Sequence, residues 1–326
     1  MAAGRRPLHV ASIRGHIESI HLLMKHGANV ESITNANEDT PLHCASWFNQ
    51  SASVRALVDD YNAEVNAGNR YGHFALQLAA RQGNVDVVKT LLSNVQCKVN
   101  TKDHEGRTAL HSASFYGQTS CIKQLITHGA DVETKDNNGL TAFFLAVRFN
   151  QLEASKLLVE TCNASLTAVN RDGSTVLHLA VLNNNRDLIN FLMTFATSNV
   201  RVKDIHGRTP VHIAVEQGLC LFCIIDLTRR DSVNIKDNAG HTALHLAVSS
   251  SRYETAVTLL KKGALINARD DSQQTPLHKA ASTGNIKLMK SRHRCDVNAR
   301  DADGKTAADI AREKGFHEFA RYLDTV

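Results

Sequence analysis

The 326-residue chain lacks any apolar run long enough to cross a bilayer. Its longest, Leu219 to Ile225, falls far below the roughly 18 residues that a span requires, and Met1 to Pro7 holds no apolar core of a secretory leader. Direct membrane insertion is therefore not expected. Cysteine is sparse and odd in number: seven residues without a disulfide framework predict free thiols in a reducing compartment, the cytoplasm or nucleus. A lone Cys220-Leu221-Phe222-Cys223 pair has no second pair to complete a zinc site, so it reads as core cysteines, and no metal is expected. No glycine-rich phosphate loop, G-x-S-x-G, H-E-x-x-H or paired acids are present. The chain reads as a non-enzyme, with no cofactor and no small-molecule substrate. Charge of one sign is also lacking: a net charge of +5 and a pI near 8.8 do not mark a nucleic-acid footprint.

What is present is a clock. Ala11, Ala45, Ala79, Ala113, Ala146, Ala180, Ala214, Ala247, Ala280 and Ala311 recur at intervals of 31 to 34 residues, the signature of a stacked repeat array. One array over 1–326 is expected, with units near 1–34, 35–68, 69–102, 103–135, 136–169, 170–203, 204–236, 237–269, 270–300 and 301–326. Five residues before eight of these alanines stands a threonine, a helix N-cap whose hydroxyl can satisfy a free backbone N–H; Arg6 and Phe74 are the exceptions. All four prolines fall at the next position, the first helical residue. Four residues after the alanine, every unit but one has Gly or Asn, which tolerate the left-handed conformation that ends a helix; Ser251 departs. A second helix follows, with apolar spacing as in Val85, Val88, Leu91 and Leu92, and turns such as Asp136-Asn137-Asn138-Gly139 link the units.

The runs Thr40-Pro41-Leu42-His43-Cys44-Ala45, Thr209-Pro210-Val211-His212-Ile213-Ala214 and Thr275-Pro276-Leu277-His278-Lys279-Ala280 resemble the T-P-L-H-x-A signature of ankyrin repeats. The resemblance implies an all-α repeat solenoid of helix-turn-helix units joined by β-hairpin loops, with a concave groove that binds proteins. It implies a structural, hydrogen-bonding role for His9, His43, His111, His178, His212, His245 and His278. Hairpin residues Asn66, Asn100, Asn234, Asn267 and Asn298 resemble those that asparaginyl hydroxylases modify in this family.

Two irregularities stand out. The ninth unit is two residues short between Asn285 and Cys295 and places Lys290-Ser291-Arg292-His293-Arg294 where a Leu-Leu pair is usual; a frayed second helix is expected, as a weak joint or as an irregularity of the gene model. The last unit carries a polar surface, as a capping repeat does, whereas Ile13, Ile17 and Ile20 give the first unit an internal character.

In this family the two residues after Ala-x in each first helix face the groove. These slots hold Trp47, Phe48, Phe115, Tyr116 and Phe149, where chance would supply about one aromatic. Arg14, Arg70, Tyr71, Arg81, Arg107 and Arg148 stand among them or on neighbouring hairpins, with Asp39 and Glu105 as opposing charges. Aromatics and arginines dominate interface hot spots. The expected function is a protein-interaction module or scaffold whose first five repeats hold a segment with acidic and apolar residues. The alternatives are a nucleic-acid-binding array, or the ankyrin region of a channel, a ubiquitin-ligase adaptor or a membrane–cytoskeleton anchor. In the later repeats the same slots hold Leu182, Asn183, Glu216, Gln217, Ser249, Ser250, Ser282, Thr283, Glu313 and Lys314, which reads as a spacer.

Overall fold

A computed structural model describes residues 4–195, 197–219, 221–228, 232–285 and 295–325. Two compact units are distinguished, Met1–Ser165 and Leu166–Val326. The first contains the helix pairs α1 (Pro7–Arg14) and α2 (Ile17–Lys25), α3 (Pro41–Trp47) and α4 (Ser51–Arg55), α5 (Ala75–Gln82) and α6 (Val85–Ser93), α7 (Ala109–Phe115) and α8 (Thr119–Thr127), and α9 (Ala142–Arg148) and α10 (Leu152–Glu160). The second contains α11 (Val176–Leu182) and α12 (Arg186–Phe195), α13 (Pro210–Gln217) and α14 (Leu221–Leu227), α15 (Ala243–Ser249) and α16 (Tyr253–Lys261), then α17 (Pro276–Thr283), and finally α18 (Ala307–Glu313) and α19 (His317–Asp324). The expected irregularity over 286–294 and the basic run within it lie outside the described residues, as does Cys220.

First helices pack on first helices: α5 lies between α3 and α7, while α6 lies between α4 and α8. The periodic alanines sit at this crowded seam, and all are buried, eight of them at 0% exposure. A larger side chain there would overpack at a cost of about 1–3 kcal/mol. Each first helix ends as the Gly and Asn pattern requires, and the exception obeys the same geometry: Ser251 also takes a left-handed φ of 54°. In the Ala45 repeat the second helix finishes in a π-helical turn, Ala56–Asp60, that buries Ala56, Leu57 and Val58.

The threonine caps are present, and a second kind of bond accompanies them. Thr40, Thr141 and Thr306 accept a bond from the backbone N–H three residues on, at 3.3–3.4 Å. The shorter bonds run the other way: the N–H of Thr40, Thr108, Thr175, Thr209, Thr242 and Thr275 donates to the Nδ1 of the histidine three residues on, at 3.1–3.2 Å. Because the acceptor is the residue that follows, no threonine is needed, and Arg6 donates to His9 in the same way at 3.2 Å. A backbone N–H can only donate, so Nδ1 carries no proton and Nε2 does. Nε2 then donates to a carbonyl of the next loop, from His9 to Asp39, His43 to His73 and His111 to Leu140 in the first unit. In the second unit His178, His212, His245 and His278 reach Arg208, His241, Gln274 and Lys305. Burial is the chief cause that lowers the pKa of all seven, His245 to about 4, which keeps the rings neutral.

Of the three substitutions in this slot, Gln77, Phe144 and Asp309, the two polar ones reveal its chemistry. Gln77 accepts from Phe74 N–H through Oε1 at 3.0 Å and donates to the Arg107 carbonyl through Nε2 at 2.7 Å, so an amide serves both ends. Asp309 of α18 can only accept, and it takes Thr306 N–H at 3.0 Å and the Thr306 hydroxyl at 2.8 Å.

Among the described residues none forms a β-strand, and the loops that the resemblance cast as β-hairpins are tight turns. Asp103 organises one: its Oδ1 accepts N–H bonds from Glu105 and Arg107 at 2.9 and 2.8 Å, while Asp103 N–H donates to the Arg107 carbonyl at 2.9 Å. Gly106 is required at the tip, with φ of 75° and a space in which a Cβ would come within 2.8 Å of Asn137 N. Within each unit neighbouring turns share one backbone bond, as from Asn137 N–H to the Glu105 carbonyl at 2.9 Å, too few to build a ladder.

Candidate functional site

The aromatic and arginine residues singled out in the sequence lie in the first unit, where the stacking of α3, α5, α7 and α9 sets them side by side. Trp47, Arg81, Phe115 and Arg148 occupy the same slot of successive helices, so aromatic and guanidinium groups alternate along the column. Arg81 lies over the ring of Trp47 at 5.2 Å and over that of Tyr116 at 5.0 Å. Phe115 contacts Tyr116 with ring centroids 4.6 Å apart and Phe149 at 3.8 Å, and Arg148 lies over Phe149 at 5.9 Å. The result is a continuous strip from Trp47 to Arg148.

The strip is packed yet accessible. Trp47 and Phe115 are half-buried, whereas Phe48, Tyr116 and Phe149 keep 40–43% of their surface exposed. Stacking among the rings fixes their orientation, which lowers the entropy a partner must remove on binding. Beside Trp47 opens a cavity of about 230 Å³, lined also by Phe48, Tyr71, Asp39, Arg5 and Arg81. Tyr71, at the tip of a turn, is 52% exposed.

The remaining charges are largely engaged. Arg70 pairs with Glu38 at 3.4 Å, a partner the sequence reading did not name. Arg107 pairs with Glu105 and lies 3.7 Å from the buried Asp136 carboxylate. Asp39 accepts from Asn69 at 2.8 Å and Asn37 at 3.2 Å. The surface is therefore less basic than arginine positions alone suggest. His73, between Arg81 and Asp103, has its pKa lowered chiefly by burial; Asp103 opposes that shift and Arg81 reinforces it. Arg14 is exposed at the end of α1, apart from these ring contacts.

In the second unit the corresponding slots carry no such strip. Leu182 is exposed, Glu216 pairs with Arg208 at 3.0 Å, and Glu313 pairs with Lys305 at 2.7 Å.

Of the asparagines singled out, Asn66, Asn100, Asn234 and Asn267 bridge successive loops, and the backbone bond of Asn298 stays within its own loop. Asn66 donates to the Gln96 carbonyl and accepts from Lys98 N–H, at 2.8 and 2.9 Å. Asn100 joins Gly129 and Asp131 in the same way, and Asn234 joins Gly263 and Leu265. Asn267 accepts from Asp296 N–H at 3.0 Å, and Asn298 N–H donates to the Asp296 carboxylate at 3.1 Å.

The described thiols form no disulfide, and burial raises Cys44 to about 12 and Cys97, Cys121 and Cys295 to about 11, which keeps these four protonated at neutral pH. Among the described residues no His, Cys, Asp and Glu cluster could hold a metal, and no helix is long and apolar enough to cross a membrane.

Comparison with known proteins agrees with this architecture. A model described as ankyrin repeats in three copies matches residues 2–69, 61–136, 131–204 and 177–270, and one described as ankyrin repeats in many copies matches 259–311. The chain is 27% identical over 210 residues to a transient receptor potential cation channel subfamily A member 1 homolog of Caenorhabditis elegans, covering 64% of this chain and 14% of that protein. It is 31% identical over 220 residues to the nuclear factor NF-kappa-B p105 subunit of Gallus gallus, covering 66% and 19%. It is 24% identical over 223 residues to the NAD-dependent deacetylase sir2B of Dictyostelium discoideum, covering 65% and 27%. The chain spans a minor part of each of these relatives, whose names have little in common beyond the shared segment. Helix pairs, cap histidines and matched models agree, and the chain belongs to the ankyrin repeat family.

Proposed function

We propose that this chain is a non-catalytic protein-interaction module, and that the strip from Trp47 to Phe149 holds a segment of a partner protein. Ankyrin repeats are generally protein-binding modules, and the observation that carries the finer reading is the partial exposure of Tyr116 and Phe149 within a preorganised stack of rings, with the exposed Phe48 next to Trp47. Contiguous apolar surface of this kind mark interaction sites on soluble domains. Arg81 and Arg148 add positive charge, so the segment carries acidic residues beside apolar anchors. The second unit, whose slots carry no aromatic ring and whose Glu216 and Glu313 are internally paired, serves as a spacer. A reducing cytoplasmic or nuclear setting suits the six described free thiols. Asn66, Asn100, Asn234, Asn267 and Asn298 are candidates for hydroxylation.

The test is comparative affinity purification with mass spectrometry, using the wild-type chain and a triple variant, Trp47→Ala, Phe115→Ala, Phe149→Ala, checked for matching thermal unfolding. Partners lost from the variant alone support the strip. An unchanged set of partners refutes it and makes the rings packing residues.

A further inference from the structure

Arg81 differs from two other arginines near the strip. Arg70 and Arg107 are paired with carboxylates. Around Arg81 the structure places two rings instead, Trp47 from α3 at 5.2 Å and Tyr116 from the end of α7 at 5.0 Å. Because α5 lies between α3 and α7, the two rings approach the guanidinium from either side. No acceptor among the described residues forms a hydrogen bond or ion pair with its side-chain N–H groups. Rings against a guanidinium leave its in-plane donors for an acceptor in that plane, and a carboxylate matches them with two parallel bonds.

The space beside it is sized for one side chain. The cavity of about 230 Å³ between Trp47, Phe48 and Tyr71 is smaller than the roughly 300–1,000 Å³ typical of small-molecule pockets. A second cavity, of about 80 Å³, opens on the other side toward Phe115 and Tyr116, and Arg81 lines both. Aromatic walls suit an apolar side chain, and Arg5 at the rim of the larger cavity adds positive charge, while Asp39 is engaged by Asn69 and Asn37.

We propose that Arg81 anchors a carboxylate of the docked segment through its free guanidinium edge, while an apolar side chain of the same segment enters the cavity between Trp47, Phe48 and Tyr71. This rests on the docking role proposed above and specifies what the strip recognises. The guanidinium lies 5.2 Å from the Trp47 ring and lines the same cavity, and an extended segment rises about 3.3 Å per residue, so an acidic residue about one or two positions from the apolar one meets both sites.

The experiment is selection of a random peptide library displayed on phage against the full chain. Synthetic copies of the enriched peptides are then titrated by fluorescence polarisation against wild type, Arg81→Gln, Arg81→Lys and Phe149→Ala, each checked for matching thermal unfolding. The expected result is an Asp or Glu near an apolar residue in the enriched peptides. Replacing that acid by its amide weakens binding about tenfold or more, Arg81→Gln does the same, and combining the two adds little further loss. Arg81→Lys recovers only part, because an ammonium cannot make the paired bonds. Peptides that bind Arg81→Gln undiminished but lose Phe149→Ala overturn the carboxylate anchor and leave the docking strip intact. No enriched peptide, or undiminished binding to both variants, overturns both. Tighter binding by about tenfold when phosphoserine replaces the acid overturns the assignment to a carboxylate.

Discussion

Acid should loosen this protein through its cap histidines, and His245 allows the size of the effect to be worked out. Its Nδ1 accepts Thr242 N–H at 3.1 Å and its Nε2 donates to the Gln274 carbonyl at 3.1 Å. Protonation would place a second hydrogen on Nδ1 against that N–H and put a charge in a site with 0% exposure. Burial, the largest cause, lowers the pKa from 6.5 to about 4, although the Gln274 carbonyl and Asp270 oppose it. A neutral folded ring and a titrating unfolded one mean that the unfolded chain binds more protons below pH 6.5. The stabilisation is present above pH 6.5 and is lost progressively as pH falls toward 4. The full effect is about 3 kcal/mol, of which about 2 kcal/mol is lost between pH 6.5 and 5. Gln77 supplies the control, since it makes both bonds without a titrating group. In His245→Gln the acid sensitivity around α15 should fall by about that amount. Hydrogen exchange over 242–274, corrected for intrinsic rates, reads it locally, which suits an array that need not unfold all at once. Equal losses of protection in wild type and His245→Gln would refute the reasoning.

Three further perturbations separate packing from binding. Ser251→Gly relieves a left-handed φ of 54° and should stabilise the second unit by about 0.5–1 kcal/mol, read by chemical denaturation; destabilisation would mean that the serine side chain contributes more than its strain costs. Phe143→Ala, at a fully buried position of α9, should cost about 3–5 kcal/mol, whereas Phe48→Ala, 43% exposed, should stay within about 1 kcal/mol; similar costs in thermal unfolding would contradict the division between core and docking rings. Asn100→Ala removes bonds to Gly129 and Asp131 and should cost about 1–2 kcal/mol, with faster exchange at Asp131 as the local sign; unchanged exchange there would show that the bridge carries no weight.

What the sequence made legible was whatever repeats. The alanine period located the helix seam, and the Gly and Asn positions marked the helix ends so reliably that even Ser251 follows their geometry. The aromatic slots were legible too, because they depart from a known pattern. What could not be read depends on neighbours about thirty residues away. The threonine hydroxyl caps the helix as expected at Thr40, Thr141 and Thr306, but the added bond to histidine depends on a ring whose second nitrogen is oriented by a carbonyl of the following loop. Asp39 and Glu105 were the opposing charges the sequence named; Glu38 beside Arg70 and the buried Asp136 beside Arg107 were not. The π-helical turn at Ala56–Asp60 has no sequence signal that we recognise.

The most direct measurement of the docking claim is site-specific photocrosslinking. A photoreactive phenylalanine analogue is placed singly at Phe48, at Phe149 and, as the equivalent slot of the second unit, at Leu182, and each chain is exposed to cell extract under ultraviolet light. Crosslinks to a shared partner segment from positions 48 and 149, with none from 182, are the expected result. Crosslinks to that partner from 182 alone, with 48 and 149 silent, would contradict a docking surface on the first unit.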